Sequence, residues 1–201
     1  MAADELPASP SDDRPVLHPD ARQLKALAHP LRSRLLGSLR VHGPATATQL
    51  AARLATNSGA TSYHLRQLAD VGVVEDDVER STGRDRVWRS THRSTSWRSP
   101  EFDDDPDARA ADEWLMRHHA NTMSRWLDDW LDARQEWPKE WREAADQSDY
   151  HVRLSAERLN DLMAELHAVV SRYVATDDPT APGAQLVTVL LQAFPSPDRQ
   201  P

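Results

Sequence analysis

Apolar residues recur along the first part of the chain at three- and four-residue steps. Small polar residues, glycine and proline interrupt them. Leu24 and Leu27 are followed by Leu31, Leu35, Leu36 and Leu39, then by Leu50, Ala51 and Leu54, then by Leu65, Leu68 and Val71. Each set marks one side of a helix, so four short helices are predicted between residues 20 and 71. The rhythm then changes. Residues 73–78 and 86–89 read as strands, and 79–85, with Gly83, as the turn of a β-hairpin. Residues 108–137 contain neither Pro nor Gly and predict one long helix. Positions 123, 127, 130, 134, 137 and 141 along it alternate steps of four and three, a heptad seam with Arg134 as its polar interruption. Further on, 150–154 alternates like a strand and 186–191 reads as a buried one. Between them, Leu159, Leu162, Met163, Leu166, Val169 and Val170 define a helix over 156–173.

The polar residues at the breaks agree with this division. Asp20 is placed to cap the first helix, Thr46 or Thr48 the third, and Ser155 the last. Pro30 ends the first helix and suits the first turn of the second. Gly72 ends the fourth because glycine enters the left-handed region at little cost. Pro138 ends or kinks the long helix. The expected fold class is mainly α with a small β component. The expected organisation is a disordered tail over 1–17, a first domain over 18–98, and a linker with the long tryptophan-rich helix over 99–148. A strand–helix–strand (β-α-β) unit over 149–195 and a frayed tail over 196–201 complete it.

Composition narrows the chemistry. With no cysteine among 201 residues, disulfides and thiolate metal sites are excluded. No apolar run reaches the length of a bilayer span and the N-terminus has no signal pattern, so a soluble, cytoplasmic protein is expected, with no membrane partner. The net charge of −8 hides an uneven distribution: residues 20–98 hold 13 Lys and Arg against 7 Asp and Glu, a balance of +6. A basic block inside an acidic chain can present a basic side to phosphates.

The helix after 57 combines Leu65 and Leu68 behind with Ser58, Thr61, Ser62, Tyr63 and Arg66 in front. Its short, tight connection to the helix before it makes a helix-turn-helix pattern. Four stretches then stand in order: LKALAHPLRSRLL, QLAARL, SYHLRQLADVGVV and GRDRVWR. Together they resemble the winged helix-turn-helix of ArsR-type transcriptional regulators over residues 20–98. The resemblance implies a homodimer on double-stranded DNA, with the second helix of the motif in the major groove and the hairpin on the backbone or minor groove. Ser58, Thr61, Ser62, Tyr63 and Arg66 would then face DNA from the helix, and Arg80, Arg84 and Arg86 from the wing. The physical chemistry agrees. Small hydroxyls let helix N–H groups approach phosphates, Tyr63 can stack on a sugar, and Arg66 can reach a guanine edge. His64 is read as a packed histidine. Cysteine-based metal sensing, found in many members of that family, does not transfer to this chain.

The tryptophan-rich helix carries the remaining candidates. Trp114, Met123, Trp126, Leu127, Trp130 and Trp137 are read as a dimer seam or, alternatively, as a pocket for a small apolar effector. Asp112, Glu113, His118 and His119 make a poor metal site, because adjacent helical histidines point about 100° apart. No metal or other cofactor is expected. No nucleophile–base pair or phosphate-binding glycine loop is visible, so an enzyme is not expected. The competing reading is a winged-helix protein-interaction module that does not touch DNA.

Overall fold

The computed structural model describes residues 14–83, 85–178 and 180–196, which form two units, one over 14–125 and one from 126 on. Arg84, residues 1–13 of the expected leading tail and residues 197–201 of the trailing one lie outside the described residues.

In the first unit, β1 (Val16–Leu17) precedes α1 (Ala21–Leu27) and α2 (Pro30–Val41). Then come β2 (Ala45–Thr46), α3 (Ala47–Arg53), α4 (Ser58–Ala69), β3 (Val74–Asp76), β4 (Val87–Ser90) and β5 (Ser94–Thr95). A 3-10 turn, Ser99–Phe102, leads into α5 (Pro106–Ala133). The caps set these limits. Asp20 and Gln23 form a reciprocal capping box on α1, Thr46 and Gln49 form another on α3, and His29 caps α2 ahead of Pro30. Of the two threonines considered for α3, Thr46 is therefore the cap. Gly72, at φ 74°, closes α4 with Val73 N–H donating to Leu68 O at 3.1 Å.

The four leucine sets converge on one core, with Leu24, Leu35, Leu39, Leu50, Leu65 and Leu68 fully buried. Trp88 of the wing closes one side, and Ala108, Ala111 and Leu115 of α5 pack into the same cluster. The wing contains an unexpected third strand. β2 pairs antiparallel with β4, placing Ala45 opposite Trp88, and β4 pairs antiparallel with β3. The expected tail also needs shortening. Val16 and Leu17 pair parallel with Ser94 and Thr95, and Leu17 is buried in the core.

In the second unit, a 3-10 turn (Arg134–Glu136) is followed by α6 (Lys139–Ala144) and α7 (Ala156–Val174). Ser155 caps α7 as expected, its hydroxyl accepting from Arg158 N–H at 3.2 Å. The strand–helix–strand reading is wrong on both flanks, since 150–154 and 186–191 are not strands. A strand is stable only with a partner ladder, and neither segment has one. Leu186, Val187, Val189 and Leu190 are exposed. No described residue from 126 on is buried.

Candidate nucleic-acid interface

The turn between α3 and α4 is tight because Ala55 takes the left-handed conformation, φ 50°, and Thr56 N–H donates to Ala51 O at 2.9 Å. Asn57 then caps α4, its Oδ1 accepting Ala60 N–H at 2.7 Å. This start leaves Ser58, Ser62 and Arg66 at four-residue steps, one line along an accessible side of the helix. Tyr63, 54% exposed, stands beside that line. Arg66 is exposed, and its Nε donates to Ser62 O at 3.2 Å, which folds the guanidinium along the helix.

Thr61 does not join this group. It is 0% exposed, and its Oγ1 donates to Asn57 O at 2.9 Å. Positions 61, 65 and 68 share a side of the helix, so Thr61 lies with Leu65 and Leu68, and its hydroxyl is satisfied by backbone. This corrects its expected place on the outer side.

His64 packs as expected. Its ring lies 4.4 Å from that of His29, and Tyr63 meets it edge-on at 5.1 Å. Burial holds the His64 imidazole below its ordinary range, and His29 and Arg32 push it the same way. His29 is lowered too, by burial and then by Arg32, while its Nδ1 accepts the N–H of Leu31 at 3.2 Å. A neutral pair thus ties the start of α2 to the back of α4.

The wing arginines are less free than their sequence suggests. Arg86 pairs with Asp76 at 2.8 Å and lies over the Trp88 ring at 5.2 Å. Arg80 sits 3.9 Å from the buried Asp77, and Arg89 pairs with Glu75 at 2.7 Å. Ser81 Oγ donates to Asp76 Oδ1 at 2.5 Å and accepts Val87 N–H at 2.9 Å, so Asp76 organises the hairpin as well as its charge. Between helix and wing lies an open cleft of about 290 Å3, where Ser62 and Arg66 face Arg86, Asp85 and Trp88, with Thr46 and Thr48 at one edge. Sequence reasoning treated Thr48 only as a cap. Its hydroxyl-bearing neighbourhood at the start of α3 was the available signal.

On α5, the candidate residues separate. Trp114 stacks on His118 at 4.7 Å, while His119 lies 5.5 Å from Trp97, whose Nε1 donates to the buried Asp112 at 2.5 Å. The two histidines thus have different partners. Among the described residues no group of three or more His, Cys, Asp or Glu is arranged to hold a metal ion. The expected heptad seam is shorter at its far end, because α5 stops at Ala133, ahead of Trp137 and Trp141. At its near end the same stepping runs back through Ala120 to Met116, both exposed. Trp126 is 47% exposed and Leu127 is exposed too. Beyond the helix, Trp137 lies between Trp130, at 6.0 Å, and Trp141, at 6.1 Å. No described helix is long and apolar enough to cross a membrane.

Residues 27–77 match the family model described as "Helix-turn-helix domain". No curated protein matches the chain. A solved structure described as "Crystal structure of Possible transcriptional regulator for arsenical resistance" is 29% identical, over 54% of this chain and 95% of that one, with a TM-score of 0.31. The family match covers α2, α3 and α4, the helices that build the exposed line of Ser58, Ser62 and Arg66. Residues 27–77 are thus similar to a helix-turn-helix domain, and the hairpin of β3 and β4 follows it as a wing.

Proposed function

We propose that the chain is a sequence-specific DNA-binding transcription regulator, acting in the cytoplasm as a homodimer and responding to an effector through its C-terminal part. The observation that carries this reading is the accessible row on α4 opening into the cleft beside the wing. Ser58, Ser62, Tyr63 and Arg66 offer small donors, an aromatic edge and one long cation on a helix that is fully packed behind. On DNA, Arg80 and Arg86 exchange their aspartates for phosphates, so the wing positions the domain more than it specifies sequence. Arg84 belongs to the same proposal by its place in the hairpin. One domain reads too short a site for useful specificity, so two copies read two half-sites. The stripe of α5 from Met116 through Ala120, Met123 and Leu127 to Trp130, exposed or half-buried along its length, is the proposed seam between them, and a signal reaching the tryptophans changes the spacing of the two reading helices.

Genomic fragments selected by the wild-type protein and by the double variant Tyr63→Ala, Arg66→Ala test the core of the proposal. The wild type enriches a common motif and the double variant loses it. Equal, sequence-independent recovery by both would reject the α4 assignment. The aspartate pairing of Arg80 and Arg86 favours the competing reading, a protein-interaction module. Binding with little dependence on salt supports that reading, because phosphate contacts release counterions.

A further inference from the structure

Arg32, in the first turn of α2, is a half-buried cation without a counter-ion. Its Nε is enclosed and has no hydrogen-bond partner, and one terminal nitrogen reaches Lys25 O only at 3.5 Å, the outer limit of a hydrogen bond. Other arginines of this unit are better provided for. Arg22 and Arg34 donate to the carbonyls of Asp70 and Leu54 at 3.0 and 2.9 Å, and Arg80, Arg86 and Arg89 face carboxylates. A guanidinium taken out of water without an anion costs free energy, and burial accordingly lowers the pKa of Arg32 from its ordinary value. Its neighbours are His29, His64 and Tyr63, and none of the charged groups acting on Arg32 or on either histidine is a carboxylate. His64 Nδ1 is likewise enclosed and without a partner. Two such nitrogens, in a patch of nitrogen-bearing side chains with no carboxylate, call for an anion.

The place of the patch says which anion. Successive residues on a helix turn by about 100°, so His64 lies about 200° round α4 from Ser62. Ser62 opens into the cleft with Arg86, Thr46 and Thr48, whereas His64, packed against His29 at the start of α2, sits on the opposite flank. Tyr63 and Arg66 stand exposed between the two. A helix with its side chains is about 10–12 Å across and the major groove about 12 Å wide, so a helix seated in the groove meets a phosphate wall on each flank.

We propose that Arg32, with His29 and His64 beside it and Tyr63 at its rim, binds a DNA backbone phosphate on the flank of α4 away from the wing. The site rests on the reading of α4 as the DNA-reading helix and extends the interface onto α2. The phosphate supplies the anion that the fold withholds, and the contact fixes orientation more than sequence.

Arg32→Met keeps the aliphatic stem and removes the charge. In the full-length protein it weakens binding to the selected motif and to unrelated DNA alike, by about tenfold, and lowers the slope of log affinity against log salt by about one. Its unfolding midpoint in urea stays at the wild-type value or rises, because no ion pair is broken. Arg32→Lys retains most of the slope. DNA carrying single methylphosphonates, scanned along each strand, shows one position that weakens the wild type but not Arg32→Met. An unchanged slope in Arg32→Met, or a fall in its unfolding midpoint that accounts for the lost affinity, overturns the proposal while the motif read through Tyr63 and Arg66 stands. Inorganic phosphate raising the melting temperature of the wild type but not of Arg32→Met, with equal salt slopes for the two, assigns the site to a free anion and overturns the DNA assignment. Wild-type binding with little salt dependence rejects DNA as the ligand and this site with it.

Discussion

Helices α4 and α7 carry the same kind of pattern and meet different fates. Leu65 and Leu68 on α4 are fully buried, whereas Leu162 and Leu166 on α7 are each 37% exposed. The stripes are alike, but their surroundings are not. In residues 14–125, turns of a few residues bring four apolar stripes and a three-stranded sheet onto one another. In residues 126–196, α7 lies between two stretches without regular structure, and no neighbour in its own unit buries it. An amphipathic pattern states that one side of a helix will be covered; it does not state by what.

Truncation at the two helices separates these cases most strongly. Leu68→Ala should cost about 2–5 kcal/mol of unfolding free energy by urea titration, because it removes a fully buried side chain and leaves a cavity. Leu162→Ala, measured on dilute protein where copies are apart, should stay within about 0.5 kcal/mol of wild type. Comparable losses at both positions would mean that Leu162 is packed as firmly as Leu68.

The next effect lies on the reading side of α4. Arg66→Ala should weaken binding to the selected motif by about 1–3 kcal/mol while leaving stability unchanged, since the side chain is exposed. A fall in melting temperature to match would recast Arg66 as a helix-stabilising residue through its bond to Ser62 O. The wing offers the opposite sign. Asp76→Asn removes the partner of Arg86, and should raise affinity for DNA by about 1 kcal/mol or less and steepen its salt dependence. Unchanged affinity and slope in gel-shift titrations would exclude Arg86 from phosphate contact.

Asn57 is a smaller lever. Asn57→Ala should cost about 1 kcal/mol by removing the acceptor for Ala60 N–H at the start of α4.

The smallest expected effect is protonic. His29, His64, His92, His118 and His119 are all held below their ordinary range, burial being the first cause in each. The unfolded chain therefore takes up protons first as pH falls below about 6.5, where unperturbed histidines titrate. Stability is full above that value and declines towards pH 5. His64→Gln should make the decline shallower in thermal melts between pH 7.5 and 5. An identical slope would show that His64 does not contribute.

Much of the first unit was legible because helices are local. Leucine spacing, Pro30, Gly72 and the cap at Asp20 each act within a few residues of themselves, and the structure keeps all of them. Where the reading went wrong, a distant partner decided. Val16 and Leu17 are too short to announce a strand and become one only beside Ser94 and Thr95. Ala45 and Thr46 become one only beside Val87 and Trp88. Residues 150–154 and 186–191 have stronger strand character and no ladder to join. At the interface, Ser58, Ser62, Tyr63 and Arg66 were identifiable from residue type and spacing. Thr61 was misplaced because its hydroxyl suggested water, while its spacing with Leu65 and Leu68 placed it inward.

By itself, then, the sequence determined where the helices of the first unit begin and end, and which side of α4 is small and polar, because those choices depend on hydrogen bonds and side chains only a turn away. It also determined that α7 is an amphipathic helix. Only the tertiary structure decided that Val16 and Leu17 pair with Ser94 and Thr95, that Ala45 and Thr46 join the wing as a third strand, and that Arg86 rests against Asp76 across the hairpin. Those outcomes depend on groups far apart in sequence meeting in space.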